Sequence, residues 1–362
     1  MSHIASINFV QLSDECQVVC DRLNEMLKRV ESAIADIENV AMSDDAFAEA
    51  NAFTTKVKAQ LFEWRGSMND IMETAYKWAQ SRGIGREEKI GEASALRRQA
   101  TNLSAIVSAE STRLMVSIEA VGRNMSEMKV RKILADVDAK RNATKIFIEN
   151  MEDPMLRQFA KIVVAGNDRR MSQDDILTEA KSLMQSTIQD VAKEKLASES
   201  HRLSVEMKTC GIAPEKIETV VAFQPSENAV ADLIRIESDA TQAIVDEGVR
   251  RKTLIIIKKA IEARGFIVDK SNIRKQDDMV TMLATKLSGE RARFKVYLDG
   301  KFVYDFSEGY KGQACEQDIA PFERDLEEIY GGAIVHKTID WSNPDKISSH
   351  KMQVKGKNYQ KK

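Results

Sequence analysis

The sequence predicts a mainly α protein: an elongated helical bundle or coiled coil followed by a small α+β module with an antiparallel meander. Three observations carry this. An a/d heptad runs unbroken from Leu12 to Val40, only 5 Pro and 16 Gly punctuate the 362 residues, and 11 of the 21 aromatic residues crowd into residues 266–362. With 43% hydrophobic and 30% charged residues, the composition is that of a folded chain. The expected domains are a helical arm at 1–265, an α+β module at 266–345 and a flexible basic tail at 346–362.

In the first helix Leu12, Cys16, Val19, Leu23, Met26, Val30, Ala33, Ile37 and Val40 step alternately by four and three residues. Such a seam, about 43 Å long at the helical rise, is expected to bring copies of the chain together through Leu12, Val19, Leu23, Met26, Val30 and Ile37. Ser43-Asp44-Asp45 can cap a second helix at about 45–81, which carries Phe47, Phe53, Val57, Leu61, Trp64, Met68, Ile71 and Trp78 and stops at Gly83-Ile84-Gly85. A third helix spans about 87–150, with Gly122 as a candidate break. Asp153-Pro154 opens a short helix that Gly166-Asn167 closes. The segment MSQDD at 171–175 caps a long helix to about Met207, terminated by Gly211 and Pro214, and Pro225-Ser226 precedes a helix at about 227–264. No repeat of fixed period is present, which argues against a solenoid.

From Gly265 the pattern changes. Phe266-Ile267-Val268 reads as a strand, and Met279 to Leu287 as another, with a short helix as the alternative there. In RFKVYLDGKFVYDF the Asp299-Gly300 pair sits between two alternating runs, which predicts a hairpin with a two-residue turn. That turn would set Val296 opposite Val303 and Phe294 opposite Asp305. Tyr297, Phe302, Tyr304 and Phe306 would then share a face with Arg293 and Lys295. A sheet face of this kind can stack bases, or it can pack beneath a helix, which is the commoner fate of aromatic faces. A helix with Ile319, Phe322, Leu326 and Ile329 on one side is expected to cover the sheet.

With 54 basic against 56 acidic residues the net charge is −2, so no global field draws the chain to nucleic acid or an anionic membrane. No apolar stretch approaches the ~20 residues of a membrane-spanning helix. The opening MSHIASINF lacks the basic and apolar regions of a signal peptide, and the four cysteines fit a reducing compartment, so the chain reads as cytoplasmic. His3, His201, His336 and His350 are dispersed, no CxxC pair occurs, and neither a metal nor a cofactor is expected. There is no Walker A, GxGxxG or GxSxG sequence to support nucleotide or ester hydrolysis.

Cys315, near a helix start, has the position of an activated thiol but no His or Asn motif to serve it; a small buried residue is the favoured reading. Gly309-Tyr310-Lys311-Gly312 matches the GxxG loop of KH domains, although here it joins a strand to a helix rather than two helices. The tail at 346–362 holds six lysines and no acid, which suits either solubility or an anionic partner. The helix before it is acidic, with Glu316, Asp318, Glu323, Asp325, Glu327 and Glu328 against Arg324.

Asp299-Gly300, then Gly309, Tyr310, Gly312, Ala314 and Cys315, then Leu326 and Gly331 resemble a small uncharacterised bacterial domain. In that family a hairpin with a D-G turn precedes G-[FY]-x-G-x-[AS]-C and a helix, and the resemblance covers about residues 291–345. Its members stand beside MoxR-type AAA+ ATPases in multicomponent systems associated with phage conflict, without an assigned activity. The resemblance implies a bacterial chain that works with protein partners, among them an AAA+ ATPase. The resulting expectation is a non-enzymatic scaffold or adaptor that oligomerises through its arm. It would recognise a partner through Arg293, Lys295, Tyr297, Phe302, Tyr304, Phe306, Gly309, Tyr310 and Gly312. The alternative is a nucleic-acid-binding protein using the same face and the lysine tail.

Overall fold

The computed structural model describes residues 3–41, 48–81, 86–132, 142–167, 171–222, 226–276, 278–310 and 314–342. The chain folds into two compact units. A bundle unit is built from Cys16–Thr74 and Leu96–Val245, and a sheet unit from residues up to Glu15, Ala75–Ala95 and Asp246 onward. The helices are α1 (Leu12–Ala41), α2 (Ala48–Gln80), α3 (Arg86–Lys132), α4 (Asn142–Glu149), α5 (Pro154–Ala165), α6 (Gln173–Thr209), α7 (Pro214–Val221), α8 (Ala229–Glu262) and α9 (Glu316–Glu328). None among the described residues is long and apolar enough to cross a membrane.

Local chemistry sets several of these ends as expected. The Asp153 carboxylate accepts from the Met155 amide at 2.9 Å, with Pro154 in the first turn of α5. Ser172 and Asp175 form a capping box at the start of α6. Gly122 does not break α3: a Cβ there would stand 3.1 Å from Ile37, so the glycine serves close packing of α3 on α1.

The heptad of α1 is the core of the bundle unit. Cys16, Leu23, Val30 and Ile37 are buried, but their partner file is Cys20, Leu27 and Ile34, with Met26, while Val19 and Ala33 are half-buried and Val40 is exposed. A multi-helix bundle needs a wider apolar stripe than a two-stranded coil, and the 3.6-residue period turns the stripe onto those positions. From Leu23 to Ile37 this stripe packs in one cluster with Leu61 and Trp64 of α2, Val107 and Val121 of α3, Phe159 of α5, Leu203 of α6 and Leu233 of α8. Leu12 is buried in the sheet unit. The seam is therefore filled by the chain's own helices, which corrects the expected oligomer seam: Leu12, Leu23, Met26, Val30 and Ile37 have no surface to offer a second copy.

The sheet unit corrects the expected boundary at 265. Its strands are β1 (His3–Val10), β2 (Ile273–Gln276), β3 (Met279–Thr285), β4 (Arg291–Tyr297), β5 (Lys301–Glu308) and β6 (Ala333–Ser342), in the order β2-β3-β4-β5-β1-β6. All the pairings are antiparallel. The amino-terminal strand thus lies between β5 and β6, because Ala5, Ile7 and Phe9 alternate with polar residues and give it a buried face. The expected strand at 266–268 reduces to one bridge, Ile267 with Thr285. One sheet face is covered by α9, through Ile319, Phe322 and Leu326, and by Ile256, Ile257, Ala260 and Ile261 at the end of α8.

Candidate functional site

The hairpin turn decides what the sheet presents. The loop has three residues, Leu298-Asp299-Gly300, rather than two. Gly300 takes φ 76°, its amide donates to Tyr297 O at 3.3 Å, and the Asp299 carboxylate accepts from the Lys301 amide at 3.0 Å. A type I turn closed by a left-handed residue uses the same Asp-Gly signal as the two-residue turn. The register moves accordingly, with Val296 opposite Phe302 and Phe294 opposite Tyr304. A one-residue shift sends every side chain of one strand to the other face.

Phe302, Tyr304 and Phe306 are consequently separated from the cations, whereas Tyr297 stays with them. Phe294, Val296, Phe302, Tyr304 and Phe306 point into the core and are fully buried. Phe302, Tyr304 and Phe306 surround Phe322 of α9 with ring centroids 6.1–6.4 Å away, and Tyr304 meets it at a right angle. The expected stacking platform is hydrophobic core. Its polar tips are tied to α9: the Tyr304 hydroxyl donates to Glu323 at 2.6 Å, and the Tyr310 hydroxyl donates to Asp318 at 2.8 Å. Lys337 also reaches Glu323, and Lys286 reaches both oxygens of Asp318 at 2.7 Å. Burial, reinforced by the adjacent carboxylate, raises the pKa of both phenols well above the ordinary tyrosine value.

Gly309 is committed to the fold rather than to a ligand. It takes φ 85°, and a Cβ there would lie 2.5 Å from Gly289 O and 2.7 Å from Glu290 Cα. Lys311 and Gly312 of the GxxG loop lie outside the described residues, as does the lysine tail. Cys315 is 6% exposed, and burial, followed by Glu316, raises its thiol pKa, the opposite of what a nucleophilic thiolate needs. Among the described residues no cluster of His, Cys, Asp and Glu could hold a metal.

The outer face of the sheet carries the remaining predicted residues. On β4, Arg291, Arg293, Lys295 and Tyr297 follow one another on this side, the arginines exposed and the other two half-buried. Lys295 lies between Thr281 of β3 and Val303 of β5, and Arg293 between Leu283 and Asp305. The rows continue through Arg274 of β2 and Ser6 of β1, and Lys301 stands opposite Asn8. Five cations, Arg274, Arg291, Arg293, Lys295 and Lys301, face two acids, Asp305 and Glu308, along the described strands of this surface. Its ion pairs are exposed ones, Arg291 with Glu308 at 2.9 Å and Arg293 with Glu308 at 4.0 Å, so they hold their cations loosely. The sequence contained this file, in alternation on one strand, but the assumed register placed it among the aromatics.

The bundle unit has a polar cluster of its own that the sequence did not reveal. Arg22, 6% exposed, binds Glu206 and Glu237, and donates to the Thr241 hydroxyl at 3.2 Å. Arg29 binds Glu199 at 2.8 Å, and Arg202 binds Glu199, Glu206 and Glu237. Burial alone would raise the Glu199 carboxyl, but Arg29 and Arg202 overcome it and hold it below the usual carboxylate value. A cavity of about 30 Å³ adjoins the cluster, lined in part by Ser111, whose hydroxyl has no hydrogen-bond partner, and has room for one water molecule.

No protein family, curated protein or solved structure matches the chain.

Proposed function

We propose that this protein is a non-enzymatic scaffold or adaptor whose helical bundle is a frame and whose sheet unit holds a binding partner on its outer face. The single observation behind this reading is the asymmetry of the sheet. One face is sealed by α9 and the end of α8, whereas the other leaves Arg293, Lys295, Tyr297, Val303, Leu283 and Ile4 half-buried or exposed. Half-buried apolar residues interspersed with loosely held cations form a surface suited to contact. The resemblance of residues 291–345 to domains found beside MoxR-type AAA+ ATPases makes such an ATPase a second member of the assembly to seek, and phage conflict a setting to examine.

Photo-crosslinking tests the reading. A benzophenone amino acid at Val303 should give an adduct with the partner in source cells, and one at Glu327, exposed on α9, should not. Equal adducts from both positions, or none from Val303, would remove the outer face from the proposal.

A further inference from the structure

The geometry points to single-stranded nucleic acid as the ligand of the outer sheet face, with its backbone running along β4. This rests on the binding role proposed above and specifies the partner's chemistry. Arg291, Arg293 and Lys295 occupy alternate positions of one antiparallel strand, so their side chains emerge about 6.8 Å apart. That pitch is close to the separation of successive phosphates on a stretched single strand. A row of three cations at that interval can meet three consecutive phosphates, which an acidic protein surface with dispersed carboxylates would match only by chance.

Two features supply the remaining chemistry. Tyr297 is the next member of the same file, half-buried, with the ring of an aromatic platform for a base at the end of the cationic row. Arg274 of β2 and Lys301 of β5 flank the file on either side, and Thr281 and Thr285 of β3 and Ser6 of β1 add hydroxyls on the same face. The surface is a sheet face rather than a deep groove, which suits an unpaired strand whose bases can turn toward it. Discrimination among sequences is not expected, because the contacts go to phosphates and one ring face.

The test is fluorescence anisotropy of the full chain with a labelled oligothymidine across a salt series. Binding should weaken with salt, and the double substitution R293Q with K295Q should reduce affinity at least tenfold at low salt. It should also make the slope of log K against log salt shallower by about 1.4, the change for two lost phosphate contacts to a single strand. Y297A should cost about tenfold with the slope unchanged, as a stacking contact predicts. Melting temperatures of the variants, whose side chains lie outside the core, serve as the folding control.

Absence of oligonucleotide binding by the wild-type chain overturns the inference, as does binding that the double variant leaves unaltered, which would place it elsewhere on the chain. Equal affinity for a duplex with no effect of Y297A also overturns it, since the ligand would then be a general polyanion. A protein adduct from Val303 together with no oligonucleotide binding defeats this inference alone and leaves the adaptor reading standing.

Discussion

Phe302→Ala separates a core aromatic from a recognition aromatic. The Phe302 ring is fully buried, with Phe9 6.3 Å away edge-on, Tyr304 at 6.4 Å and Phe322 at 6.4 Å. Truncating a buried Phe costs about 3–5 kcal/mol, because transfer free energy is lost and neighbours on a sheet and a helix collapse only partly into the space. Against a total stability of about 5–15 kcal/mol this is a large fraction, and at about 2–4 °C per kcal/mol it lowers the melting temperature by roughly 10 °C. Circular dichroism melts and urea titrations of the full chain measure it. Phe322→Ala should cost a similar amount, and the double variant less than the two together, since the rings share one packing site. A shift below about 2 °C, accompanied by weakened partner binding, would put the ring on a free surface and refute the assignment of faces.

Five further outcomes follow from other contacts. Tyr304→Phe removes the donor to Glu323, while Lys337 still serves that carboxylate, so urea titration should show a loss of about 1 kcal/mol. Because both Tyr304 and Tyr310 have raised folded pKa values, stability should be intact below about pH 10 and fall as pH rises further, where the unfolded phenols ionise first; replacing both with Phe should flatten that fall. In the bundle unit Arg22→Met should cost about 3 kcal/mol, because Glu206 and Glu237 lose a buried partner. The depressed Glu199 pKa contributes stability above about pH 4.3 that is lost as pH falls through the lower folded value, and Glu199→Gln should weaken this acid dependence in pH-dependent melts. Cys315 and Cys20 are buried with raised thiol pKa values, that of Cys20 to about 11, so alkylation at neutral pH should modify the more exposed Cys210 before either of them.

Much of the fold was legible where chemistry is local. Asp153-Pro154 and Ser172 with Asp175 announce helix starts because the cap lies within three residues of the amides it satisfies. The existence of the hairpin followed from Asp299-Gly300, but its register did not, since a left-handed Gly300 completes a three-residue loop as well as a two-residue one. That single step moved Arg293 and Lys295 away from Phe302 and Tyr304, and with it the candidate site. β1 was missed although Ala5, Ile7 and Phe9 alternate, because its partners, β5 and β6, lie at the far end of the chain and no local signal names them. The α1 heptad identified an apolar face, but which neighbouring file joins it depends on how many helices surround it. Arg22 reads as a surface residue until Glu206 and Glu237 are brought to it.

The central claim, that the outer face of the sheet is the contact surface, is tested most directly by reversing its charge. Arg293→Glu with Lys295→Glu, compared with wild type for recovery of the partner crosslinked from Val303, leaves the buried face untouched. The account predicts that the adduct disappears while the melting temperature stays within about 2 °C of wild type, as for surface substitutions. Recovery of the same adduct in the same yield from a folded variant would contradict it.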